Sequence, residues 1–267
     1  MSSSESGYLL AGQASELQRL QLQSRVWEPA GRSLLAELPA PAGAKALEVG
    51  CGVMGWLRVL SEWVGAEGQV LGTDVDDKML AGARQFVQDE ALANVTLARD
   101  DLFASALPEA SFDLVHARFQ IAPLGRAEAQ LAAFRRWLRP GGWLVLEDPD
   151  LASWRVHPDA PAAMALIALI EQGFRASGGD FNAGRALPTW LRSIGLQPRV
   201  RAQVLALEPG HPYLRLPVQF ATALKPRLQA LLPAAELDAL IARAEDEIAR
   251  PDAWGTTFTL IQVAARV

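Results

Sequence analysis

Cysteine is almost absent from this 267-residue sequence, which contains only Cys51. A disulfide within the chain needs two cysteines, so none can form, and a single thiol is compatible with the reducing cytoplasm. The N-terminus also lacks a basic segment followed by an apolar run, so we expect no signal peptide. The most apolar stretch, Ala160 to Ile170, is too short to cross a bilayer. These absences predict a cytoplasmic protein with no membrane partner.

Dense runs of lysine or arginine are also missing, and the formal net charge is −5. Nucleic-acid binding depends largely on neutralising phosphates, so we expect neither DNA nor RNA as a partner. The nearest approach to a basic cluster, Arg135, Arg136 and Arg139, suits the end of a helix better than a phosphate track. The chain has three histidines and no metal-ligand spacing, so we expect no metal. The composition is that of an ordinary globular protein, apolar enough to bury a full core.

The middle of the chain alternates between strand and helix patterns. The predicted strands are Lys45–Gly50, Gln69–Asp74, Val95–Ala98, Phe112–Ala117 and Trp143–Glu147. The predicted helices between them are Trp56–Val64, Asp77–Glu90 and Ala127–Leu138. Such alternation is typical of an α/β fold with a parallel sheet and helices on both faces.

The flanking segments are more helical. Before the alternating region, the pattern from Tyr8 to Leu38 predicts helices that Pro29 kinks or separates. After Asp148 we predict these elements: helices Ala160–Ala176 and Thr189–Ile194 (the second capped by Thr189), a strand Gln197–Leu207, two helices within Val218–Arg250 broken near Pro233, and a final strand Thr257–Ala265. The chain is therefore divided into an N-terminal helical lid (1–43), an α/β core (44–150), and a helical substrate-binding insertion with the last two strands (151–267).

A glycine-rich segment connects the first predicted strand to its helix, with Gly50, Gly52 and Gly55 following Glu48. Glycine allows a sharp turn and lets a ligand lie against the backbone. The N-terminus of the following helix adds free N–H groups, which suit a carboxylate or phosphate. The second strand ends at Asp74, where an acidic side chain can accept both hydroxyl hydrogens of a ribose. These features alone fit either NAD or S-adenosylmethionine.

Further motifs distinguish the two cofactors. Asp100 and Asp101 follow the third strand, and they are succeeded by the segments Ser111 to Val115 and Leu138 to Leu144. Together with the glycine segment and Asp74, these motifs resemble the class I S-adenosylmethionine-dependent methyltransferases, in order and with normal spacing over residues 45–148. The segments Tyr8 to Leu10 and Glu16 to Gln23 also resemble the leading helices of bacterial small-molecule methyltransferases. The resemblance implies a Rossmann-like, doubly wound, mostly parallel seven-stranded sheet with N-terminal helices and a helical insertion before the last strands.

The resemblance also implies a role for individual residues around S-adenosylmethionine. The glycines would lie beneath the methionine part, Glu48 would order the loop and the amino group, Asp74 would bind the ribose, and Asp100 would face the adenine amino group. The implied cofactor-binding residues are Tyr8, Gln23, Glu48, Gly50, Cys51, Gly52, Gly55, Asp74, Val75, Met79, Asp100, Asp101, Leu102, Arg118 and Phe119. One departure is that Met54 stands where many relatives carry glycine, so that the third glycine is shifted by one place.

Methyl transfer from a sulfonium is an in-line displacement, which requires alignment and exclusion of water. A general base helps when the acceptor is a hydroxyl. His157, which follows the fifth strand, is the first candidate. His116 lies near the carboxyl end of the fourth strand, although alternation can turn its ring into the helix layer. Asp148 ends the fifth strand, and Glu147 and His211 are further candidates.

Large apolar side chains are frequent after the fifth strand. Most are expected to pack the insertion itself, but Trp154, Phe174, Tyr213 and Phe220 are candidates to line a substrate pocket. The N-terminal helices would close over the cofactor as a lid. We therefore expect S-adenosylmethionine-dependent methylation of a small apolar or aromatic metabolite, in a natural-product pathway.

Two other interpretations stay open. An NAD-dependent oxidoreductase would share the glycine loop and Asp74, but the sequence has no Tyr-x-x-x-Lys pair. A protein that binds S-adenosylmethionine without transferring its methyl group would keep every motif.

Overall fold

The computed structural model describes the chain from Ala14 to Val267, so the predicted cofactor contact Tyr8 lies outside the described residues. In that part of the chain the strands are β1 (Lys45–Val49), β2 (Gln69–Asp74), β3 (Val95–Arg99), β4 (Phe112–Arg118), β5 (Leu138–Asp150), β6 (Arg155–His157), β7 (Arg199–Gln203), β8 (Ala206–Leu207), β9 (Trp254–Thr256) and β10 (Thr259–Arg266). The helices are α1 (Ala14–Leu35), α2 (Leu57–Val64), α3 (Asp77–Asp89), α4 (Ile121–Leu124), α5 (Ala127–Trp137), α6 (Pro161–Ala176), α7 (Leu187–Ser193), α8 (Leu216–Ala223), α9 (Lys225–Leu228) and α10 (Ala234–Ile248).

Seven strands form the main sheet, in the order β3-β2-β1-β4-β5-β10-β7. The pairings from β3 to β5 are parallel, whereas β10 runs antiparallel to both of its neighbours. This arrangement confirms the predicted mostly parallel, seven-stranded α/β fold. A second, three-stranded sheet in the order β6-β9-β8 was not predicted from the sequence.

The apolar run in β1 arises because helices cover both faces of the sheet. Ala46 packs with the core that includes Leu60 of α2, whereas Leu47 packs with the core that includes Phe134 of α5. Consecutive residues point to opposite faces of a strand, so a central strand buried on both sides is apolar throughout. Glu48 is the exception among the buried residues of this strand, and it is only 1% exposed.

The strand order reverses between β1 and β4, because β2 and β3 lie on one side of β1 while β4 and β5 lie on the other. Loops that leave β1 and β4 in opposite directions open a crevice at the carboxyl ends of these strands, where α/β proteins of this kind bind ligands. Helices α6, α8 and α10 form a separate apolar core that includes Trp27 of α1. The first helix therefore contacts the insertion.

Several predicted boundaries outside the core were wrong. Helix α1 continues through Pro29 and is not separated there, and α7 begins at Leu187, so Thr189 lies inside the helix and does not cap it. The predicted strand Gln197–Leu207 is divided between β7 and β8, which belong to different sheets. Three helices, α8, α9 and α10, occupy the segment predicted to hold two.

The carboxyl end of β5 depends on a close backbone approach at Gly184. A Cβ atom at this position would overlap the carbonyl oxygen of Asp148 and lie 2.8 Å from that of Pro149. We expect Gly184→Ala to lower the free energy of unfolding by ~1–3 kcal/mol, because the obstacle is backbone and cannot rotate away. Urea unfolding followed by circular dichroism measures this effect.

Thr189→Ala is a matched control from the neighbouring helix. Its side chain is exposed and caps nothing, so the free energy of unfolding should change by less than ~0.5 kcal/mol. If Thr189→Ala lowers the free energy of unfolding by about 1 kcal/mol, Thr189 caps the helix as the sequence predicted. If Gly184→Ala leaves the free energy of unfolding unchanged, the close backbone approach at Gly184 is contradicted.

Candidate functional site

The loop between β1 and α2 leaves an open surface at Gly52. The residue has a φ of +54°, which residues other than glycine rarely adopt. A Cβ atom at this position would meet nothing within 4 Å. Gly55, with a φ of +40°, is different, because a Cβ atom there would overlap the Glu48 carboxylate. The first position offers space to a ligand, and the second lets the loop close onto β1.

The Glu48 carboxylate fixes the other side of this loop. Its Oε1 accepts a hydrogen bond of 3.0 Å from the backbone N–H of Trp56, immediately before α2. Its Oε2 lies 2.5 Å from Nδ1 of His116 on β4. The Trp56 indole stacks on the His116 imidazole, with ring centroids 3.7 Å apart. One buried carboxylate therefore joins the strand, the start of the helix and the neighbouring strand.

His116 lies between two carboxylates. Its Nε2 is 3.4 Å from Oε2 of Glu147, whose Oε1 accepts a hydrogen bond of 2.5 Å from Gln262. Burial disfavours charge on the imidazole, but the negative charges of Glu48 and Glu147 outweigh it and raise the pKa of His116. The ring is fully buried and its partners are protein groups, so its position suits a structural cation.

Asp74 connects the ends of β1, β2 and β3. Its carboxylate accepts hydrogen bonds of 2.9 Å from the backbone N–H groups of Gly52 and Asp76, and its carbonyl oxygen accepts one from Asp100 N–H. Burial raises the pKa of Asp74, while the donated N–H bonds act in the opposite direction. Val75, directly after it, is 37% exposed and continues the open surface from Gly52.

The other predicted cofactor residues vary in their exposure. Asp101 is exposed, and its side chain accepts a hydrogen bond from Phe103 N–H, whereas Leu102 is half-buried against the α5 face of the core. Met79 is buried beneath the glycine loop with Val53 and Met54.

Cys51 is buried within the glycine loop, and its backbone N–H donates to Thr73. Burial, followed by the charges of Asp74 and Glu48, raises the pKa of its thiol well above the ordinary value. A buried, protonated thiol is a packing group and a poor nucleophile.

A small apolar cavity, partly open to solvent, lies next to the ends of β4 and β5. Its lining is largely aromatic and includes two polar side chains from α1. The lining residues are Arg19, Gln23, Phe119, Ala122, Pro123, Pro149, Phe174, Phe181, Phe220 and Phe258. The cavity thus brings together two predicted cofactor-binding residues, Gln23 and Phe119, and two predicted substrate residues, Phe174 and Phe220.

Trp154 and Tyr213, the other two predicted substrate residues, are buried behind this lining. The Trp154 ring packs edge-on against Phe220, with centroids 6.2 Å apart. The Tyr213 hydroxyl accepts a hydrogen bond of 3.1 Å from the Trp27 indole. Both side chains support the aromatic wall from outside the cavity.

Among the described residues that line the cavity there is no histidine, aspartate or glutamate. His157 lies in the small sheet and stacks on Trp254, and the His211 imidazole caps the turn at Tyr213. Asp148 accepts the N–H of Ala122 at the start of α4, and burial raises the pKa of Asp148 to about 8. The structure therefore places no predicted base in the cavity wall.

Sequence reasoning missed several side chains at this site. Arg19, Phe181 and Phe258 line the cavity, and Gln120 lies over the glycine loop, where its side-chain nitrogen is 3.4 Å from the carbonyl oxygen of Gly50. For Arg19, the sequence did contain a signal, because it lies one helical turn before the predicted residue Gln23 on α1. Arg118, predicted for the same region, is buried and donates to Ser24 of α1.

Residues 14–267 contain neither a helix suited to a membrane nor a cluster of metal-ligating side chains. No helix in this range is long and apolar enough to cross a membrane. No group of three or more His, Cys, Asp or Glu side chains in the same range is arranged to hold a metal ion.

The segment that contains the glycine loop and Asp74 also matches a known protein family. Residues 46–142, from β1 to the start of β5, match the model of a methyltransferase domain. This segment contains the glycine loop, Asp74, Asp100 and Phe119. Demethylmenaquinone methyltransferase of Staphylococcus epidermidis is 32% identical over 123 residues, which are 46% of this chain and 49% of the relative. The chain therefore matches about half the length of this curated relative.

Solved structures share the fold over nearly the whole chain. A SAM-dependent methyltransferase from Aquifex aeolicus covers 96% of this chain and is itself covered completely, with a TM-score of 0.57 and 18% identity. Phosphoethanolamine N-methyltransferase 2 of Haemonchus contortus, in complex with S-adenosyl-L-methionine, covers 99% of this chain, which covers 60% of it, with a TM-score of 0.57 and 17% identity. These similarities extend the common fold beyond residues 46–142.

The buried Asp148 generates a prediction for stability against pH. Its folded-state pKa of about 8 lies above the ordinary value of 3.8, so between these pH values the folded state keeps a proton that the unfolded state has lost. The contribution of this group to the free energy of unfolding must therefore fall as pH rises through this interval. From about pH 6 to about pH 9, the free energy of unfolding should therefore decrease less for Asp148→Asn than for the wild type, as measured by unfolding in urea.

The exposed carboxylate of Asp252 provides the control. Asp252→Asn should keep the wild-type dependence on pH, because this side chain is already solvated. If the free energy of unfolding depends on pH in the same way for Asp148→Asn and the wild type, the carboxyl group of Asp148 is ionised in the folded protein.

Proposed function

We propose that this chain is a class I, Rossmann-like S-adenosylmethionine-dependent methyltransferase and that it transfers the cofactor's methyl group to a small apolar or aromatic metabolite. The observation that carries the proposal is the open surface at Gly52 beside the Asp74 carboxylate, at the point where the strand order reverses. An apolar cavity lies at the ends of β4 and β5, and β4 is the neighbour of β1 in the sheet.

The residues around Gly52 fit a nucleoside with an amino-acid tail. A carboxylate offers about four lone-pair sites, and Asp74 uses two of them for backbone N–H groups. Two sites remain for the hydroxyls of a ribose. The exposed face of Val75 suits the adenine, and the open side of Gly52 suits the methionine part.

We assign the remaining residues of this edge to supporting positions. Glu48, Gly50, Cys51 and Gly55 shape the loop, and Met79 packs beneath it. Asp100, Asp101 and Leu102 border the adenine end, following the resemblance stated for them. Asp100 is tied by its backbone to Asp74.

The bound cofactor supplies an activated methyl group on its sulfonium. The chain must align an acceptor with that group and exclude water. Phe119 is placed for this task, because it follows β4, lines the cavity and has a φ of +55°, which is rare for a bulky residue. Its backbone N–H donates to the Glu147 carbonyl, and its ring packs edge-on against Phe258. Phe119 therefore forms a rigid border between the cofactor edge and the cavity.

An apolar or aromatic acceptor is supported by the composition of the cavity wall. Five phenylalanines contribute to it, and such rings provide broad apolar faces on which flat molecules pack. The relative from Staphylococcus epidermidis is named for a quinone acceptor, which belongs to the same chemical class. We further propose that the acceptor is a free metabolite in the cytoplasm, handled by a monomer or homodimer. The single cysteine and the absence of a basic run support this part.

Asp74 tests the cofactor assignment. We expect Asp74→Ala to weaken the binding of S-adenosylhomocysteine by ~1–3 kcal/mol, or ~5- to 150-fold, because charge-assisted hydrogen bonds to the ribose are lost. Calorimetric titration measures the change. The control Asp77→Ala removes an exposed carboxylate of the same charge from the first turn of α3 and should leave affinity within about twofold. If the wild type, Asp74→Ala and Asp77→Ala bind S-adenosylhomocysteine with equal affinity, Asp74 does not bind the cofactor.

A panel of acceptors tests the transfer itself. Incubation with S-adenosylmethionine carrying a labelled methyl group should release S-adenosylhomocysteine and label the aromatic and lipid-like members of the panel. The expectation follows from the aromatic lining, which offers strongly polar acceptors few hydrogen bonds. Labelling of strongly polar acceptors alone would contradict the proposed acceptor class.

A further inference from the structure

The Gln120 side chain lies across the glycine loop, at the crevice between β1 and β4. Gly50 directly follows β1, Gln120 lies just after β4, and the strand order reverses between these two neighbouring strands. A Cβ atom at Gly50 would overlap Nε2 of Gln120 and lie 2.9 Å from its Oε1, so the whole amide group covers this glycine. Ligands of such sheets bind in this crevice, and the Gln120 amide forms part of its border.

The two ends of the Gln120 amide have different surroundings. Nε2 lies 3.4 Å from the carbonyl oxygen of Gly50, which can only accept, so the nitrogen faces the loop. In the part of the chain that the structure describes, no residue donates a hydrogen bond to Oε1, and the side chain is only half-buried. Oε1 is therefore an acceptor at the border of the crevice that is open to a donor from a ligand.

The backbone of Gln120 is held in place from two sides. Phe119, directly before it, has a φ of +55°. The buried Gln130 of α5 donates from its Nε2 to the carbonyl oxygens of Gln120, at 3.3 Å, and of Gly125, at 2.6 Å. The N–H of Leu124 donates to the same carbonyl oxygen of Gln120 at 3.2 Å. A fixed backbone that carries an unsatisfied acceptor is suited to orienting a ligand.

The buried carboxylate of Glu48 does not offer an acceptor to the same crevice. The resemblance gave Glu48 a part in ordering the amino group of the cofactor, but its two oxygens are engaged with the Trp56 N–H and the His116 ring. Glu48 is only 1% exposed, and Gly55 packs directly onto its carboxylate. The amino group of a bound cofactor therefore needs an oxygen partner on the surface of the loop.

On the basis of the proposed function, we propose that the Gln120 amide, and not Glu48, binds the ammonium group of the cofactor's methionine tail. Oε1 accepts a hydrogen bond from the ammonium, while Nε2 keeps its contact with the Gly50 carbonyl oxygen. The partners match because an ammonium group only donates and its positive charge strengthens the bond. By fixing the tail, Gln120 also sets the direction of the sulfonium and its methyl group.

The position of Gln120 favours the cofactor over the acceptor as its ligand. Phe119 and Ala122, on either side of it in the sequence, line the apolar cavity. Gln120 is not among the described residues that line this cavity, and its amide covers the glycine loop instead. The amide therefore lies on the cofactor side of the border that Phe119 forms.

Three ligands and one substitution test the assignment by calorimetry. The ligands are S-adenosylhomocysteine, its deaminated analogue and its decarboxylated analogue, in which hydrogen replaces the amino or the carboxyl group. Gln120→Met keeps the length of the side chain and removes the amide. We expect it to weaken S-adenosylhomocysteine binding roughly tenfold, because a hydrogen bond to a charged group is lost. Its affinity for the deaminated analogue should stay within about twofold of the wild type, because the amide has no ammonium to bind there.

The decarboxylated analogue shows which end of the tail the amide binds. It keeps the amino group, so Gln120→Met should weaken its binding roughly tenfold as well. The control Gln85→Met makes the same exchange at an exposed position on α3, where the side chain contacts Asp89, and should leave all three affinities unchanged.

Three results would overturn the inference. If Gln120→Met weakens S-adenosylhomocysteine and the deaminated analogue equally, the amide shapes the loop and does not bind the ammonium. If the effect of Gln120→Met disappears with the decarboxylated analogue instead, the amide binds the carboxylate of the tail. If Gln120→Met binds S-adenosylhomocysteine as the wild type does, the amide binds neither group.

A second variant covers the case in which Gln120→Met does not fold, as judged by its thermal unfolding. Gln120→Glu keeps the size of the side chain, and a carboxylate binds an ammonium group more strongly than an amide does. The preference of Gln120→Glu for S-adenosylhomocysteine over the deaminated analogue should therefore be at least as large as that of the wild type, and a smaller preference would contradict the inference. If the wild type binds S-adenosylhomocysteine no better than the deaminated analogue, this inference alone fails. If the wild type binds no adenosyl compound, the proposed function is refuted.

Discussion

The buried carboxylate of Glu48 is the interaction on which the cofactor edge depends. It accepts the N–H of Trp56 at the start of α2 and lies against His116, which in turn faces Glu147 on β5. Removing one partner from such a group would leave an uncompensated charge in the core, which is strongly destabilising. Because Gly55 packs directly onto the same carboxylate, the glycine loop can take its shape only while this network is intact.

Two surfaces of different character meet at this edge of the sheet. The ends of β1, β2 and β3 offer backbone N–H groups and the Asp74 carboxylate, whereas the ends of β4 and β5 border a cavity lined mainly by phenylalanine. Helix α1 contacts both, since Leu17 and Leu20 pack on the glycine-loop residues and Trp27 belongs to the core of the insertion. This arrangement would let the cofactor and the apolar acceptor that we propose approach one another under a single helix.

The alternating region was predictable because short apolar runs bounded by turn residues indicate buried strands, and amphipathic helices carry a strong periodic signal. The resemblance supplied the seven-stranded sheet, and the structure confirmed it. Side-chain direction was harder to predict. His116 turns into a carboxylate network, and strands as short as β8, with two residues, show no measurable period. Phe258 and Arg19, 239 positions apart in the numbering, line one cavity because the residue before β10 packs against α1, where the rings of Phe258 and Trp27 lie 5.4 Å apart. No local pattern in the sequence contains that information.

The central claim is that the edge formed by Gly52 and Asp74 binds the nucleoside and amino-acid parts of S-adenosylmethionine. Calorimetric titration of the wild-type protein with S-adenosylmethionine, S-adenosylhomocysteine and NAD tests it most directly. The account predicts one-to-one binding of the first two compounds and no saturable heat with NAD. Saturable binding of NAD, or no heat with either adenosyl compound, would contradict it.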